Sequence, residues 1–314
     1  MGYTEKAQVF TAGIMEAAIG AGDKCLTLGG EHTLPLCSFD ESWKNAPAVG
    51  IEVLDVAFDV EGMPALGAFY AGAESFADRV KVACAAEGAK FVCLRFEGAD
   101  PGGLNRSVED CVALAKEAAA VSTLPIVVAG CKNIEKDTAL FGAIAEALPE
   151  AKLLFMSARE ENYKTVGAGC ALAYTHNIGG ESAVDINLAK QLNVLITQMG
   201  VAADRIVMNL GSAAAGYGFE YVSSTMDRVK SAALEQNDNM LQMPVITPVA
   251  SETWGVKESI MAEADMPEWG SREERGIQME IVTASACLAS GSNAVILRHP
   301  TSVKTIAAMI AAMA

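Results

Sequence analysis

Eight short apolar runs, each followed by a longer stretch of helical periodicity, occupy the chain from residue 48 onward. Most are continuously apolar instead of alternating, which is typical of strands buried on both faces of a parallel sheet. The runs are Val49–Asp55, Phe91–Phe96, Pro125–Gly130, Lys152–Ser157, Ala173–Ile178, Arg205–Leu210, Pro244–Val249 and Asn293–His299. Eight βα units in about 265 residues match the size of a (β/α)8 TIM barrel, which we therefore predict.

The stretches between the runs predict amphipathic helices. The clearest are Ser107–Ser122, Glu135–Leu148, Val184–Met199 and Arg272–Ser290. A doubly wound open sheet also alternates strands and helices, but its usual dinucleotide fingerprint is missing and eight units favour closure. Residues 1–47 carry "QVFTAG" and "KCLTLGGEHTLP", which predict a short β-hairpin cap on the amino-terminal face of the barrel. We expect one domain overall, with the barrel spanning residues 48–314.

Composition excludes two classes of partner. With 23 Lys and Arg against 39 Asp and Glu, the net charge is −16, so the surface repels nucleic acid and anionic lipid. The amino terminus lacks the pattern of a signal peptide, and no segment is long and apolar enough to span a bilayer. We expect a cytoplasmic protein. Its eight cysteines form no C-x-x-C pair, which favours reduced, buried thiols over disulfides or a metal cluster.

The loops that follow barrel strands build the binding face, so polar residues at strand ends are the candidates for function. They are Glu52, Asp55, "GCKN" (Gly130 to Asn133), "THNIGG" (Thr175 to Gly180), "ASETWG" (Ala250 to Gly255) and "RHP" (Arg298 to Pro300). Strand alternation separates Glu52 from Asp55, so we do not expect them to act as an acid–base pair. Two strand-end histidines, His176 and His299, are too few for a metal site. Lys132 could form a Schiff base if desolvated, and a solvated lysine is the alternative.

A glycine-rich loop follows the sixth run, in "MNLGSAAAGYGFEYVSSTMDRVK". A dinucleotide motif would need glycine at position 221, where Tyr221 stands instead. Gly216 and Gly218 allow close backbone approach, and the rings of Tyr217 and Tyr221 offer aromatic surface. The loop therefore favours a large, flat ligand or a protein face over a small anion, the alternative being that its rings pack against neighbouring loops.

The segment "GYGFEYVSSTMDR" resembles the small, delta-type subunit of the corrinoid/iron–sulfur protein of the acetyl-CoA synthase/CO dehydrogenase system. Similarity extends along the chain. It includes "LTLGGEHTLPLCSFD", "GCKNIEKD", "ENYKTVGAGCALAYTHN", "DINLAKQLNVLITQMG" and "ERGIQMEIVTASACLASGSNAVILRHP". The resemblance implies a (β/α)8 barrel that forms a heterodimer with a larger subunit carrying the [4Fe-4S] cluster and the cobalamin domain. It also implies a methyltetrahydrofolate:corrinoid methyltransferase and acetyl-CoA synthase/CO dehydrogenase as partners.

From this resemblance we expect a non-catalytic subunit of the anaerobic, carbon-fixing acetyl-CoA (Wood–Ljungdahl) pathway, which holds no metal and covers the corrinoid (cobalamin) at the interface. The expected corrin or partner contacts are Tyr217, Gly218, Glu220, Asn209, His176 and Asn177. Two positions depart from the family pattern. Lys132 stands where we expect a glycine, and Asn209 stands near the end of strand six, where we expect an aspartate and a proline.

Two enzymatic alternatives remain open. A methyltetrahydrofolate-dependent methyltransferase would grip the pterin with strand-end amides, for which Asn209 and Asn177 are the candidates. An aldolase or phosphosugar enzyme is suggested only by fold analogy, and its phosphate site after strands seven and eight is not evident in the sequence.

Overall fold

Eight parallel strands form the barrel, and most of them coincide with the predicted apolar runs. The computed structural model describes residues 8–35 and 42–313, so Cys37 lies outside the described residues. A hairpin comes first, and the barrel strands follow in chain order. The strands are β1 Ala17–Ala21, β2 Lys24–Leu28, β3 Ala48–Leu54, β4 Phe91–Arg95, β5 Ile126–Ala129, β6 Leu154–Ala158, β7 Asn177–Glu181, β8 Ile206–Asn209, β9 Ile246–Thr247 and β10 Ala294–Leu297.

The eight-stranded sheet curls into a nearly closed barrel. Neighbouring strands run in the order β8-β7-β6-β5-β4-β3-β10-β9, and every pair is parallel. A parallel bridge between Met208 and Val245 joins β8 to the residues just before β9. The backbone N–H of Met208 also donates to the Pro244 carbonyl at 2.8 Å. These contacts confirm the predicted (β/α)8 architecture.

Helices between the strands pack around the barrel. They are α1 Pro64–Phe69, α2 Phe76–Ala83, α3 Val108–Val121, α4 Ile134–Ala147, α5 Tyr163–Val166, α6 Ile186–Gln198, α7 Phe219–Leu234, α8 Ala250–Thr253, α9 Lys257–Ile260, α10 Arg272–Ala289 and α11 Pro300–Met313. Polar side chains define several starts, since Ser107, Asn133 and Asp185 each accept a backbone N–H of the following first turn. The four helices predicted most clearly therefore begin and end within about two residues of their expected bounds.

The hairpin β1–β2 closes the amino-terminal end of the barrel. Its side chains Ile19 and Leu28 are buried with interior residues of the barrel strands, among them Phe91 and Leu154. The Gly20 N–H donates to the Lys152 carbonyl at 2.9 Å, just before β6. A hairpin cap was predicted, but the prediction that "QVFTAG" forms one of its strands is wrong, because the first strand begins at Ala17.

The fifth barrel strand lies further along the chain than predicted. Residues Tyr163–Val166 and Gly167–Leu172 form a continuous helical segment, and β7 begins only at Asn177. The apolar run from residue 173 was therefore assigned to the wrong element, because short apolar runs fit a buried helix end as well as a strand. Across the described ranges no helix is long and apolar enough to cross a membrane.

Candidate functional site

A cavity of about 450 Å³ opens at the carboxyl-terminal end of the barrel. Its walls combine apolar side chains with arginines that rise from the strand ends. The lining includes Leu54, Met63, Arg95, Trp254, Ile260 and Arg298. The volume falls within the range of small-molecule sites, about 300–1,000 Å³. The loops after β3, β4, β9 and β10 supply these groups, as the barrel geometry predicts for a binding face.

The floor of this cavity is an ion cluster around Glu52. Arg95 donates its Nε to Glu52 Oε1 at 2.6 Å, and Arg298 donates its Nη2 to Glu52 Oε2 at 2.8 Å. Burial alone would raise the pKa of the Glu52 carboxyl, but the two guanidinium groups outweigh it and lower that pKa to about 2. Glu52 is therefore a fixed anion and cannot act as a general acid or base near neutral pH.

Asp55 lies in a separate contact, as the alternation of the strand predicts. It accepts the Gly98 N–H at 2.7 Å and forms an ion pair with Arg106. These partners belong to the loop after β4, so Asp55 fixes the position of that loop. The expectation that Glu52 and Asp55 do not form an acid–base pair is thereby confirmed.

Lys132 lies on the cavity rim with its ammonium group paired. Its Nζ lies 3.0 Å from Glu252 Oε1, and its backbone N–H donates to Asp137. The Lys132 φ of 72° falls in the left-handed region that favours glycine. The backbone at this position therefore suits the glycine that the family pattern led us to expect. Paired and half exposed, the Lys132 amine lacks the desolvated surroundings that a Schiff-base lysine needs.

A smaller cavity of about 130 Å³ adjoins the first on the β6–β8 side. Asn209 lines it at the end of β8 but is only 4% exposed. The Asn209 amide donates to Ser157 Oγ at 2.9 Å, and its Oδ1 accepts the Gly211 N–H at 3.1 Å. Because these contacts occupy the amide, Asn209 shapes the strand ends inside the mouth of the barrel. Its buried side chain is not part of the outer surface.

The glycine-rich loop forms the exposed surface beside the mouth. We define the tyrosine loop as residues 211–218 together with the first turn of α7, through Tyr221. Tyr217 is 46% exposed and Tyr221 is 68% exposed. Gly216 and Gly218 both have φ of 86°, and nothing lies within 4 Å of a Cβ built at Gly216. The loop therefore presents rings and open backbone outward.

Polar and apolar groups surround these rings. The Tyr217 hydroxyl donates to Glu258 Oε2 at 2.5 Å, which holds the ring against the short helix α9. Glu220 is exposed in the first turn of α7. A shallow depression beside the loop includes Trp269 and Val282. Ala215 of the tyrosine loop lines the same depression, and exposed apolar side chains grouped in this way can mark an interaction site.

His176 and Asn177 do not belong to this face, so their predicted placement after a strand is wrong. They stand at the amino end of β7, at the opposite end of the barrel. His176 is fully buried, and its Nδ1 accepts the Leu153 N–H at 3.0 Å. Asn177 donates to the Ala18 carbonyl of the hairpin at 2.9 Å. Both residues therefore stabilise the capped end, and the predicted pairing of Asn177 with Asn209 around a pterin is contradicted.

His299 is buried in a structural network. Its Nε2 lies 3.2 Å from Glu273 Oε1, and its backbone N–H donates to Glu280. Burial lowers the pKa of the His299 imidazole, while the Glu273 carboxylate opposes that shift. Glu280 also accepts the Trp254 indole N–H and the Arg298 N–H, so it fixes the loop that carries Arg298.

Sequence reasoning missed one residue of the cavity floor, Arg95. A signal was present, because an arginine inside the apolar run "FVCLRF" is almost never buried without a partner. Glu52 gives the same signal in "VGIEVLD". The two residues lie on neighbouring strands, where Glu52 is opposite Cys93 and Arg95 is opposite Leu54.

Among residues 8–35 and 42–313, no group of three or more His, Cys, Asp or Glu could hold a metal ion.

The fold and these strand ends define a (β/α)8-barrel protein whose carboxyl-end face combines a polar cavity with an exposed aromatic loop. The family model of the CO dehydrogenase/acetyl-CoA synthase delta subunit matches residues 16–299. The chain belongs to this family, as the resemblance in sequence predicted.

Curated relatives agree with this family. The acetyl-CoA decarbonylase/synthase complex subunit delta 2 of Methanosarcina acetivorans is 30% identical over 292 residues, which cover 91% of this chain and 66% of the relative. The subunit delta of Methanothermobacter thermautotrophicus is 30% identical over 307 residues, covering 93% and 74%. The chain thus spans about two thirds of the length of the first of these relatives.

Solved structures show the fold alone. A 7,8-dihydropteroate synthase from Vibrio fischeri superposes with a TM-score of 0.57 at 10% identity, covering 94% of this chain and 97% of that one. A Xanthomonas albilineans dihydropteroate synthase with 4-aminobenzoic acid gives 0.57 at 12% identity, covering 95% and 98%. At such identities, a shared barrel carries no shared chemistry.

Proposed function

We propose that this chain is the small subunit of the heterodimeric corrinoid/iron–sulfur methyl carrier of the reductive acetyl-CoA pathway. In this role its tyrosine loop covers the corrinoid that the large subunit holds. Methyl groups reach that corrinoid from a methyltetrahydrofolate:corrinoid methyltransferase and leave to acetyl-CoA synthase/CO dehydrogenase. The [4Fe-4S] cluster belongs to the large subunit in this proposal.

The observation that carries the proposal is the exposure of Tyr217 and Tyr221 on open, glycine-rich backbone. Tyrosine combines a large apolar ring with a polar tip, which suits a surface that is covered in one state and wet in another. A corrin is broad and nearly flat, with amide groups at its edge. The rings and the open space at Gly216 fit its face, and the exposed Glu220 carboxylate and Gly218 backbone fit amide donors at its edge.

Covering is the task that this surface can perform. When bound, the cobalt of the corrinoid supplies the nucleophile that accepts the methyl group. Residues of the tyrosine loop would exclude water and oxidants from the cobalt, and the loop and the corrinoid would remain free to separate from each other. The contact of Tyr217 with Glu258 restrains one ring before docking, which reduces the entropy lost on binding.

Co-expression with the large subunit tests the proposal. A tagged form of this chain should pull down the large subunit, and the complex should show the visible absorbance of a corrinoid. The chain purified alone should lack that absorbance. A stoichiometric corrinoid in the isolated chain, or methylation of free cob(I)alamin by this chain with methyltetrahydrofolate, would contradict the proposal in favour of an enzyme.

A further inference from the structure

The cavity at the barrel mouth has a polarised interior that the covering role does not use. Two arginines at its floor, Arg95 and Arg298, share the single carboxylate of Glu52. Both guanidinium groups remain charged at any physiological pH, so the two arginines carry one positive charge more than Glu52 neutralises. This charge stands out in a chain whose net charge is −16.

Each of the two arginines keeps a free donor. Arg95 uses Nε on Glu52 and Nη1 on the Gly130 carbonyl, which leaves Nη2. Arg298 uses Nε and Nη2 on Glu52, which leaves Nη1. Within the described part of the chain these two atoms have no hydrogen-bond partner. Neither atom is buried without a hydrogen-bond partner, so both atoms are accessible to solvent.

Besides Glu52, the Glu97 carboxylate acts on the Arg95 guanidinium from the loop after β4. Asp59 forms an ion pair with Arg272 at 2.7 Å, so these two neutralise each other. Glu97 and Asp100 line the wall formed by the loop after β4. A compact group with one negative charge can therefore bind at the floor, whereas a ligand with several charges would meet the acidic wall.

Apolar side chains complete the cavity above the arginines. Leu54, Met63, the Trp254 ring and Ile260 all line it. Ile260 is half exposed at the opening. A planar or aliphatic body of the size of a fused two-ring system fits the volume of about 450 Å³. Planar guanidinium groups match the two oxygens of a carboxylate in particular.

We propose that this cavity is a binding site for an organic monocarboxylate. The carboxylate lies between Arg95 and Arg298, and the apolar body packs against Trp254 and Ile260. The inference rests on the cavity alone and does not depend on the tyrosine loop or on the large subunit.

Calorimetric titration of the full chain with 2-naphthoate and with its neutral analogue 2-naphthamide tests the site. The carboxylate is expected to bind about tenfold more tightly than the amide, and raising the salt concentration should reduce this preference. Equal affinities for the two probes, or no heat from either at millimolar concentration, would overturn the proposal.

Matched substitutions assign the preference to the floor. Arg298→Gln should bring the two affinities to within about twofold, because it removes the excess charge. Arg228→Gln, the same change at an exposed position of α7, should leave the preference intact. If Arg298→Gln does not fold, Ile260→Glu is the second variant. It places a negative charge at an exposed position in the opening of the cavity, and it should lower the preference for the carboxylate over the amide about fivefold or more. A preference that survives in a folded Arg298→Gln or Ile260→Glu variant contradicts the site.

Discussion

Glu52 determines the electrostatics of the barrel mouth, because its carboxylate is enclosed between two guanidinium groups. Removing one member of such a buried cluster leaves the others without compensation, which destabilises proteins by about 3–5 kcal/mol. Its pKa of about 2 in the folded chain lies below the ordinary value of 4.5. A group with a lowered folded-state pKa stabilises the fold at every pH above its unfolded-state pKa. That contribution is lost as the pH falls from about 4.5 to about 2.

The substitution Glu52→Gln should therefore lower the free energy of unfolding by about 3 kcal/mol at neutral pH. Between pH 4.5 and 2 the stability of the variant should fall less steeply than that of the original chain. Urea denaturation at a series of pH values measures both effects. Glu109→Gln on the exposed face of α3 is the control. Parallel pH curves for the original chain and Glu52→Gln would contradict this reading of the cluster.

At the scale of the element, patterns of apolar residues predicted most strands and helices but failed in two places. The run from Ala173 was taken for a strand although it ends a helical segment, and β7 itself contains Gly179 and Gly180. Glycine is depleted in strands, so the true strand lacked a clear signal. The early segment "QVFTAG" failed for the converse reason. Its composition suits a strand, but its backbone contact, the Phe10 N–H to the His32 carbonyl at 2.9 Å, does not extend into a regular strand. Contacts distant in sequence decided both cases.

The hairpin β1–β2 illustrates such distant contacts and gives a second prediction. Ile19 is buried among residues of the barrel interior, so Ile19→Ala should leave a cavity at the amino-terminal end. Such truncations cost about 2–5 kcal/mol. Leu104→Ala removes an equally large but exposed side chain and should cost under about 0.5 kcal/mol. Denaturant unfolding of the two variants compares them, and equal stabilities would show that the hairpin does not close the barrel.

The tyrosine loop is the element on which the proposed docking depends. Its exposed rings were found from sequence, since glycines and aromatic residues after a strand are visible without a structure. The arginine floor was not, because the shared contact of Arg95 and Arg298 with Glu52 needs the ring of strands to bring β4 and β10 onto either side of β3.

Tyr217→Ala should weaken binding of the large subunit about tenfold or more, as removal of a central aromatic anchor does. Surface plasmon resonance measures the change, and Leu172→Ala, at the opposite end of the barrel, should leave the affinity unchanged. Equal losses in both variants would remove the loop from the interface.

At the scale of the whole molecule, the barrel separates stability from recognition. The amino-terminal end is closed by the hairpin and holds His176 and Asn177 in structural contacts. The carboxyl-terminal end carries the cavity and the tyrosine loop, which lie side by side but differ in chemistry. This division follows from parallel strands, whose ends all point to one face. We therefore infer that the large subunit docks on the loop side of that face.

The most direct test of the covering role is the rate at which a small oxidant consumes cob(I)alamin in the large subunit, measured by stopped-flow absorbance. Adding this chain should slow oxidation by about tenfold or more, because the tyrosine loop excludes the oxidant. The double variant Tyr217→Ala/Tyr221→Ala, at concentrations that still saturate the large subunit, should restore most of the rate, and Leu172→Ala should not. An unchanged oxidation rate in a complex whose formation is verified by gel filtration would contradict the account.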